Sequence, residues 1–216
     1  MTGPPSGHIS ARSGWSAQLR SVAMGLAGHG WPVLRGTYCD SGIWRGHPRY
    51  AGLCPVEDDW STRWTVRVDE IVHWWSEQPY SVLVACGHGV DCVELPLTPT
   101  SHRMLGPLRE AGLCPPAMRT PVGTLVLFVR TPTTALQPSM LVSVSLRSTG
   151  SWIAVPPTDH HDSTSPGYRW VTNAAPSHLG WQLAQLRAVC EIITATVRAG
   201  AGNGPLTAFS PPSAHG

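Results

Sequence analysis

Val72-His-Trp-Trp-Ser-Glu-Gln-Pro-Tyr-Ser-Val-Leu-Val-Ala-Cys-Gly87 changes its period in the middle. Up to Glu77 the spacing predicts a short helix over 67–77 that buries Ile71, Trp74 and Trp75. Pro79 ends it, because proline has no N–H to donate and pushes the preceding residue into the extended region. The apolar run from Ser81 to Cys86 reads as a strand, and Gly87-His-Gly89 turns the chain into a second strand over Val90 to Leu95.

Upstream, Trp15, Leu19, Val22, Ala23 and Leu26 recur at helical spacing, and Gly28 and Gly30 stop that helix before a strand candidate at Trp31-Pro-Val-Leu34. Residues 36–64 have no clean period but carry four Gly, two Pro and three Trp, which predicts a long excursion packed down by its aromatic rings. Downstream, Ser101 is a candidate cap for a helix burying Met104, Leu105, Leu108 and Ala111, with a kink at Pro107 and a stop at Gly112. Strands follow at 124–130, 141–146, 151–155 and 168–171. A last helix behind Ser177 carries Leu179, Leu183, Leu186, Cys190, Ile193 and Val197 on one stripe. Ala-Gly-Leu-Cys-Pro occurs at 51–55 and again at 111–115, but the flanks differ and no repeat architecture follows.

With 216 residues, 42% hydrophobic and 13% charged, the chain can bury one domain, placed here at 15–199. The Gly-, Ser- and Pro-rich ends, 1–14 and 200–216, lack the apolar content to offset their ordering entropy and read as flexible. All 15 basic residues are arginine, a bias that GC-rich codons explain without function. A net charge of +2 gives no chain-wide footprint for many phosphates, so any nucleic-acid contact must be local. There is neither an apolar run long enough to span a bilayer nor a signal-peptide pattern, so a cytoplasmic protein without membrane partners is expected. The six cysteines lack CxxC spacing and read as reduced thiols.

Three blocks in fixed order carry a resemblance: Gly28-His-Gly-Trp-Pro-Val-Leu34, the Trp-Trp segment quoted above, and Gly150-Ser-Trp-Ile-Ala-Val-Pro-Pro-Thr158 followed by Tyr168-Arg-Trp170. Together they resemble the N-terminal bifunctional primase/polymerase domain of the archaeo-eukaryotic primase superfamily, most closely its actinobacterial members. The resemblance covers about Trp15 to Val171. It implies an α+β fold, a primase-polymerase-like mixed sheet with flanking helices.

The resemblance also implies a metal site in which two carboxylates one residue apart project from the same strand face. Here that strand reads Val90-Asp-Cys-Val-Glu94, so the same-face neighbour of Glu94 is Cys92, and Asp91 points away. The family's phosphate-contacting histidine follows a Thr-Pro-x-Gly turn, and alignment puts Leu125 there. Ser145 takes the place of a third acid. None of these replacements supplies the hard oxygen pair that Mg²⁺ prefers.

Elsewhere, Cys39, His47 and Cys54 are a candidate zinc set, though their spacing is not that of a standard finger. Arg45 and Arg49 interleave with Trp44 and Tyr50, a composition suited to stacking bases and pairing phosphates, and Arg147 joins them as a nucleic-acid candidate. Glu57-Asp58-Asp59 stands close enough to neutralise those arginines instead. His160-His161, between Asp159 and Asp162, reads as a solvated turn, and His29 and His88 as turn residues. Walker, Gly-x-Ser-x-Gly and His-Glu-x-x-His motifs are absent.

The expectation is therefore a primase-polymerase-like protein without intact catalytic residues or cofactor, acting in control, for instance activation, of DNA replication on an actinobacterial plasmid or integrative element. Its partner would be DNA or a replication initiator. Two alternatives stay open. One is an active DNA primase/polymerase holding Mg²⁺ between Asp91 and Glu94, which needs a strand bulge. The other is an interaction module whose Trp-rich excursion docks an initiator protein.

Overall fold

The apolar repeat at Leu19, Ala23 and Leu26 lies buried along the first helix, which starts at Gly7, well ahead of Trp15. The structure is a computed structural model that describes residues 7–134, 144–158 and 167–200, the side chains of 7–13 and 200 excepted. The first six residues, the tail from 201, the His160-His161 segment and residues 141–143 of an expected strand lie outside the described residues.

In chain order the elements are α1 (Gly7–Gly28), β1 (Val33–Gly36), β2 (Tyr38–Asp40), β3 (Ile43–Arg45), α2 (Val68–Glu77), β4 (Ser81–Ala85) and β5 (Val90–Pro96). There follow α3 (Pro99–Arg103), α4 (Leu105–Glu110), β6 (Ala117–Arg119), β7 (Thr124–Arg130) and β8 (Ser145–Arg147). The last are β9 (Trp152–Ala154), β10 (Arg169–Trp170), β11 (Ala184–Gln185) and α5 (Leu186–Gly200). The fold is α+β, as the alternation of helical and strand periods predicts. Among the described residues no helix is long and apolar enough to cross a membrane.

The chain divides into two compact units, Met1–Ala85 with Trp152–Tyr168, and Cys86–Ser151 with Arg169–Gly216. In the first, β1, β4 and β9 form an antiparallel sheet, so the three sequence blocks are the three strands of one sheet. The Val-Pro-Pro segment is tied in as well: the Val82 N–H donates to Thr158 Oγ1 at 2.9 Å and the Val155 N–H to the Val82 carbonyl at 3.0 Å. α1 packs on α2, β1 and β4. Trp75 is buried and its Nε1–H donates to the Tyr80 carbonyl at 2.8 Å, which fixes the corner around Pro79. Leu34, Leu83, Ala85 and Ala154 are covered by Leu53, Trp60 and Trp64, so the excursion is packed by its aromatics as expected. Within it, β2 and β3 form a hairpin.

In the second unit the sheet runs β10-β6-β7-β5-β8, antiparallel throughout, with β11 added parallel to β7. Val93, Leu95, Leu125, Leu127 and Val129 face a core completed by Met104, Leu108, Leu186, Val189, Cys190 and Ile193 from the helices.

Three local readings change. Ser101 is not a cap: Thr98 caps α3, accepting the Ser101 N–H at 3.1 Å, while Ser101 Oγ accepts the Thr98 N–H at 2.9 Å, a capping box. The helix kinked at Pro107 is two helices meeting at Met104, with Pro107 in the first turn of α4, where a missing N–H costs nothing. The last helix begins at Leu186 because Gly180 and Trp181 both take positive φ (63° and 62°), which breaks the pattern behind Ser177.

Candidate functional site

β5 lies between β7 and β8, and its register decides which side chains can meet. It pairs one to one with β7 from Val90 to Pro96 and with β8 from Cys92 to Glu94, so no residue is bulged between Asp91 and Glu94. Cys92 and Glu94 therefore share a face with Val126 and Phe128 of β7 and with Ser145 and Arg147 of β8. Asp91, Val93 and Leu95 take the other face.

Asp91 is fully buried and its oxygens are already engaged. The Gly87 N–H donates to Oδ1 at 2.8 Å, Thr131 Oγ1 to Oδ1 at 2.9 Å and Ser148 Oγ to Oδ2 at 2.9 Å. It staples the turn before β5 to the ends of β7 and β8. An Asp91–Glu94 metal pair is thus corrected: the strand is regular, the two side chains diverge, and Asp91 is a structural acceptor.

Leu125 lies opposite Leu95 and packs into the helix-backed core, so it is not on the Glu94 face. The β7 residue opposite Glu94 is Val126, which, like leucine, can neither donate a hydrogen bond nor carry charge. Ser145 lies opposite Glu94 on β8.

Glu94 is buried, and its Oε1 lies 2.8 Å from Arg147 Nε, a charge pair rather than an aligned hydrogen bond. Burial on its own lowers the Arg147 pKa, but the carboxylate of Glu94 more than reverses this and the net shift is upward. Arg147, a nucleic-acid candidate from sequence, thus has its guanidinium against an acid of its own sheet. Beside it, Cys92 Sγ is 3.9 Å from Cys86 Sγ, and both thiols are buried. Burial first, then Cys86, Glu94 and Asp91, push the Cys92 thiol well above its usual range. The sequence reading missed Cys86; its signal was the short Gly-His-Gly turn that folds it back beside Cys92. One carboxylate, one guanidinium, a hydroxyl and two thiols do not fit a pair of Mg²⁺ ions, which take oxygen ligands.

The excursion is a separate set. His47 Nε2 lies 3.1 Å from Asp58 Oδ1, and Nδ1 accepts the N–H groups of Arg49 at 3.1 Å and Tyr50 at 3.3 Å, so both ring nitrogens are occupied. Among the described residues Cys39, His47 and Cys54 do not come together as a metal-ligating group. Arg49 is ion-paired with Asp58, Arg35 with Glu57, and Arg63 with Asp59 at 2.9 Å. The hydrogen bond from His47, together with the charge of Arg49, holds Asp58 below the usual carboxylate range. Arg45, at the end of β3, has no carboxylate within ion-pair distance among the described residues. The sequence reading also missed the stack of the Arg35 guanidinium on Trp74 and Tyr80, at 4.8 and 5.3 Å from the ring centroids.

The family model described as bifunctional DNA primase/polymerase, N-terminal, matches residues 23–185, a stretch that runs through both units. No curated protein matches the chain.

Proposed function

The chain belongs to the bifunctional DNA primase/polymerase N-terminal family, and from that premise we propose that it serves DNA replication as a regulator without nucleotidyl transfer of its own. Residues 15–199 are read as the primase-polymerase-like domain, with 36–64 as an insertion. The setting is the replication of an actinobacterial plasmid or integrative element in the cytoplasm, and activation is the form of control put forward.

One observation carries this reading: the buried acid of β5, Glu94, is compensated by Arg147 rather than left open between a second carboxylate and a metal. Two-metal phosphoryl transfer needs oxygen ligands that bridge the ions and the substrate phosphates. A guanidinium supplies a fixed charge but no exchangeable coordination position.

The charge pattern of the excursion favours an initiator protein over bare phosphates as the contact made there. Arg35, Arg49 and Arg63 each face an acid, which leaves Arg45 as the candidate for a phosphate. Binding of the full chain to duplex and single-stranded DNA, and to a candidate replication initiator protein, is measured across a salt series. Initiator binding that survives high salt supports the reading. DNA binding that weakens steeply with salt, with a slope reduced by about 1 in Arg45→Ala, assigns the contact to phosphates. Binding to neither contradicts a role in replication control.

A further inference from the structure

Leu105, Leu113, Val171 and Ala174 pack against the core of the second unit yet stay partly exposed, and they surround one opening. Behind it lies a cavity of about 200 Å³ between α4 and the turn that follows β10, lined entirely by residues of that unit. We propose that this cavity is a docking site for an acidic protein segment, which inserts one large apolar side chain.

The walls are already in place. On one side the Gly112 N–H donates to the Arg109 carbonyl at 2.9 Å and the Leu113 N–H to the Leu108 carbonyl at 2.8 Å, a turn that closes α4 with Gly112 at a φ of 73°. On the other, Ala117 of β6 holds both ends of the turn after β10: its carbonyl accepts the Val171 N–H at 2.8 Å, and its N–H donates to the Ala174 carbonyl at 2.9 Å. Binding therefore does not have to order a loop.

Volume and charge select the occupant. Pockets for whole drug-sized ligands run to roughly 300–1,000 Å³, so this smaller one suits a single side chain anchored from a longer chain. Its rim is exposed at Arg109, Cys114 and Thr172, which leaves the rest of that chain room on the surface. Arg109 is the only charged residue of the lining, and among the described residues no carboxylate lies within ion-pair distance of it. Glu110, next in sequence, is not part of the lining. A carboxylate beside the inserted side chain pairs with Arg109, whereas a lysine there is repelled. The cavity lies outside residues 36–64, so its failure leaves the replication reading standing.

The test uses fluorescein-labelled, capped peptides that carry a single Trp, Phe or Leu between Asp residues, titrated into the full chain and followed by anisotropy. Cys114 supplies a second reading at the site itself, because it is the one exposed cysteine of the six and lines the cavity. At least one peptide is expected to bind, to slow alkylation of Cys114 by iodoacetamide, and to bind about tenfold more weakly to Arg109→Glu. Replacing the Asp residues of that peptide by Lys, or its apolar anchor by Ala, should abolish binding. Blocking Cys114 beforehand with N-ethylmaleimide should abolish it too, a reading that needs no substituted chain to fold. No binding by any peptide, equal binding of the Lys peptides, or alkylation unchanged at peptide saturation overturns the proposal. Indoleacetate binding at least as tightly as the peptides would overturn it in favour of a small anion, and Cys114 protection that grows with protein concentration alone would overturn it in favour of a second copy of the chain.

Discussion

Arg147 stands opposite Cys92 in the β5–β8 register, yet its Nε lies 2.8 Å from Oε1 of Glu94, the next residue along the same face. This diagonal reach brings a buried acid and a half-buried base together where the family's resemblance leads one to expect two acids. Removing either partner leaves a charge poorly solvated, whereas removing both leaves little unbalanced.

Arg147→Ala is expected to lower stability by about 1–3 kcal/mol, below the range for fully buried pairs because the arginine is partly exposed. Urea denaturation midpoints at unchanged m-value measure this. Adding Glu94→Gln to that variant should restore part of the loss. Strict additivity of the two substitutions would mean that the pair is not coupled.

Asp91→Asn keeps the volume but replaces one acceptor oxygen with a donor facing donors. With Gly87, Thr131 and Ser148 all donating to this side chain, a loss of about 1–3 kcal/mol is expected. Stability equal to that of the unsubstituted chain would deny Asp91 its role as a staple.

Gly87 has φ of +89°, and a Cβ built there would lie 2.6 Å from the Thr149 nitrogen, so Gly87→Ala faces both backbone strain and a clash with main chain. The expected cost is about 2–5 kcal/mol, visible as a lower denaturation midpoint or loss of soluble protein. A neutral outcome would mean that the turn before β5 is more pliable than its geometry implies.

Alkaline pH gives a further handle. The pKa of Cys190 in the α5 core is pushed up to about 11 from an ordinary 9.0, chiefly by burial and then by Glu191. A folded value above the unfolded one means that the stabilisation is complete below pH 9, and that it is lost as pH rises towards about 11. Denaturation midpoints should therefore fall across that window, and Cys190→Ala should flatten part of the fall. An identical slope in both proteins would place the titration elsewhere.

Much of the architecture was legible because local signals agreed with tertiary needs. The strand over 124–130 is matched by β7 and the helix over 67–77 by α2, since a long apolar run and a Pro-terminated helix each admit few alternatives. β6 escaped because three residues behind Pro115-Pro116 have no measurable period and are strand only through pairing with β7. The early start of the last helix was misread for the opposite reason: Leu179 and Leu183 fit the stripe, but backbone geometry at Gly180 and Trp181 overrides the pattern. At the site, strand alternation separated Asp91 from Glu94 and paired Cys92 with Glu94 correctly. That Val126 rather than Leu125 stands opposite Glu94 was not legible, because register across strands depends on turn geometry rather than on the strand's own residues. The partner of Arg147 was illegible for the same reason.

The most direct test of the central claim is a primer-synthesis and primer-extension assay with the full chain, template, nucleotides and either Mg²⁺ or Mn²⁺, run beside Glu94→Gln. With Glu94 held by Arg147 and, among the described residues, no second carboxylate on its strand face, the account predicts no template-dependent product from either protein. Metal-dependent product from the unsubstituted chain that disappears in Glu94→Gln would contradict it.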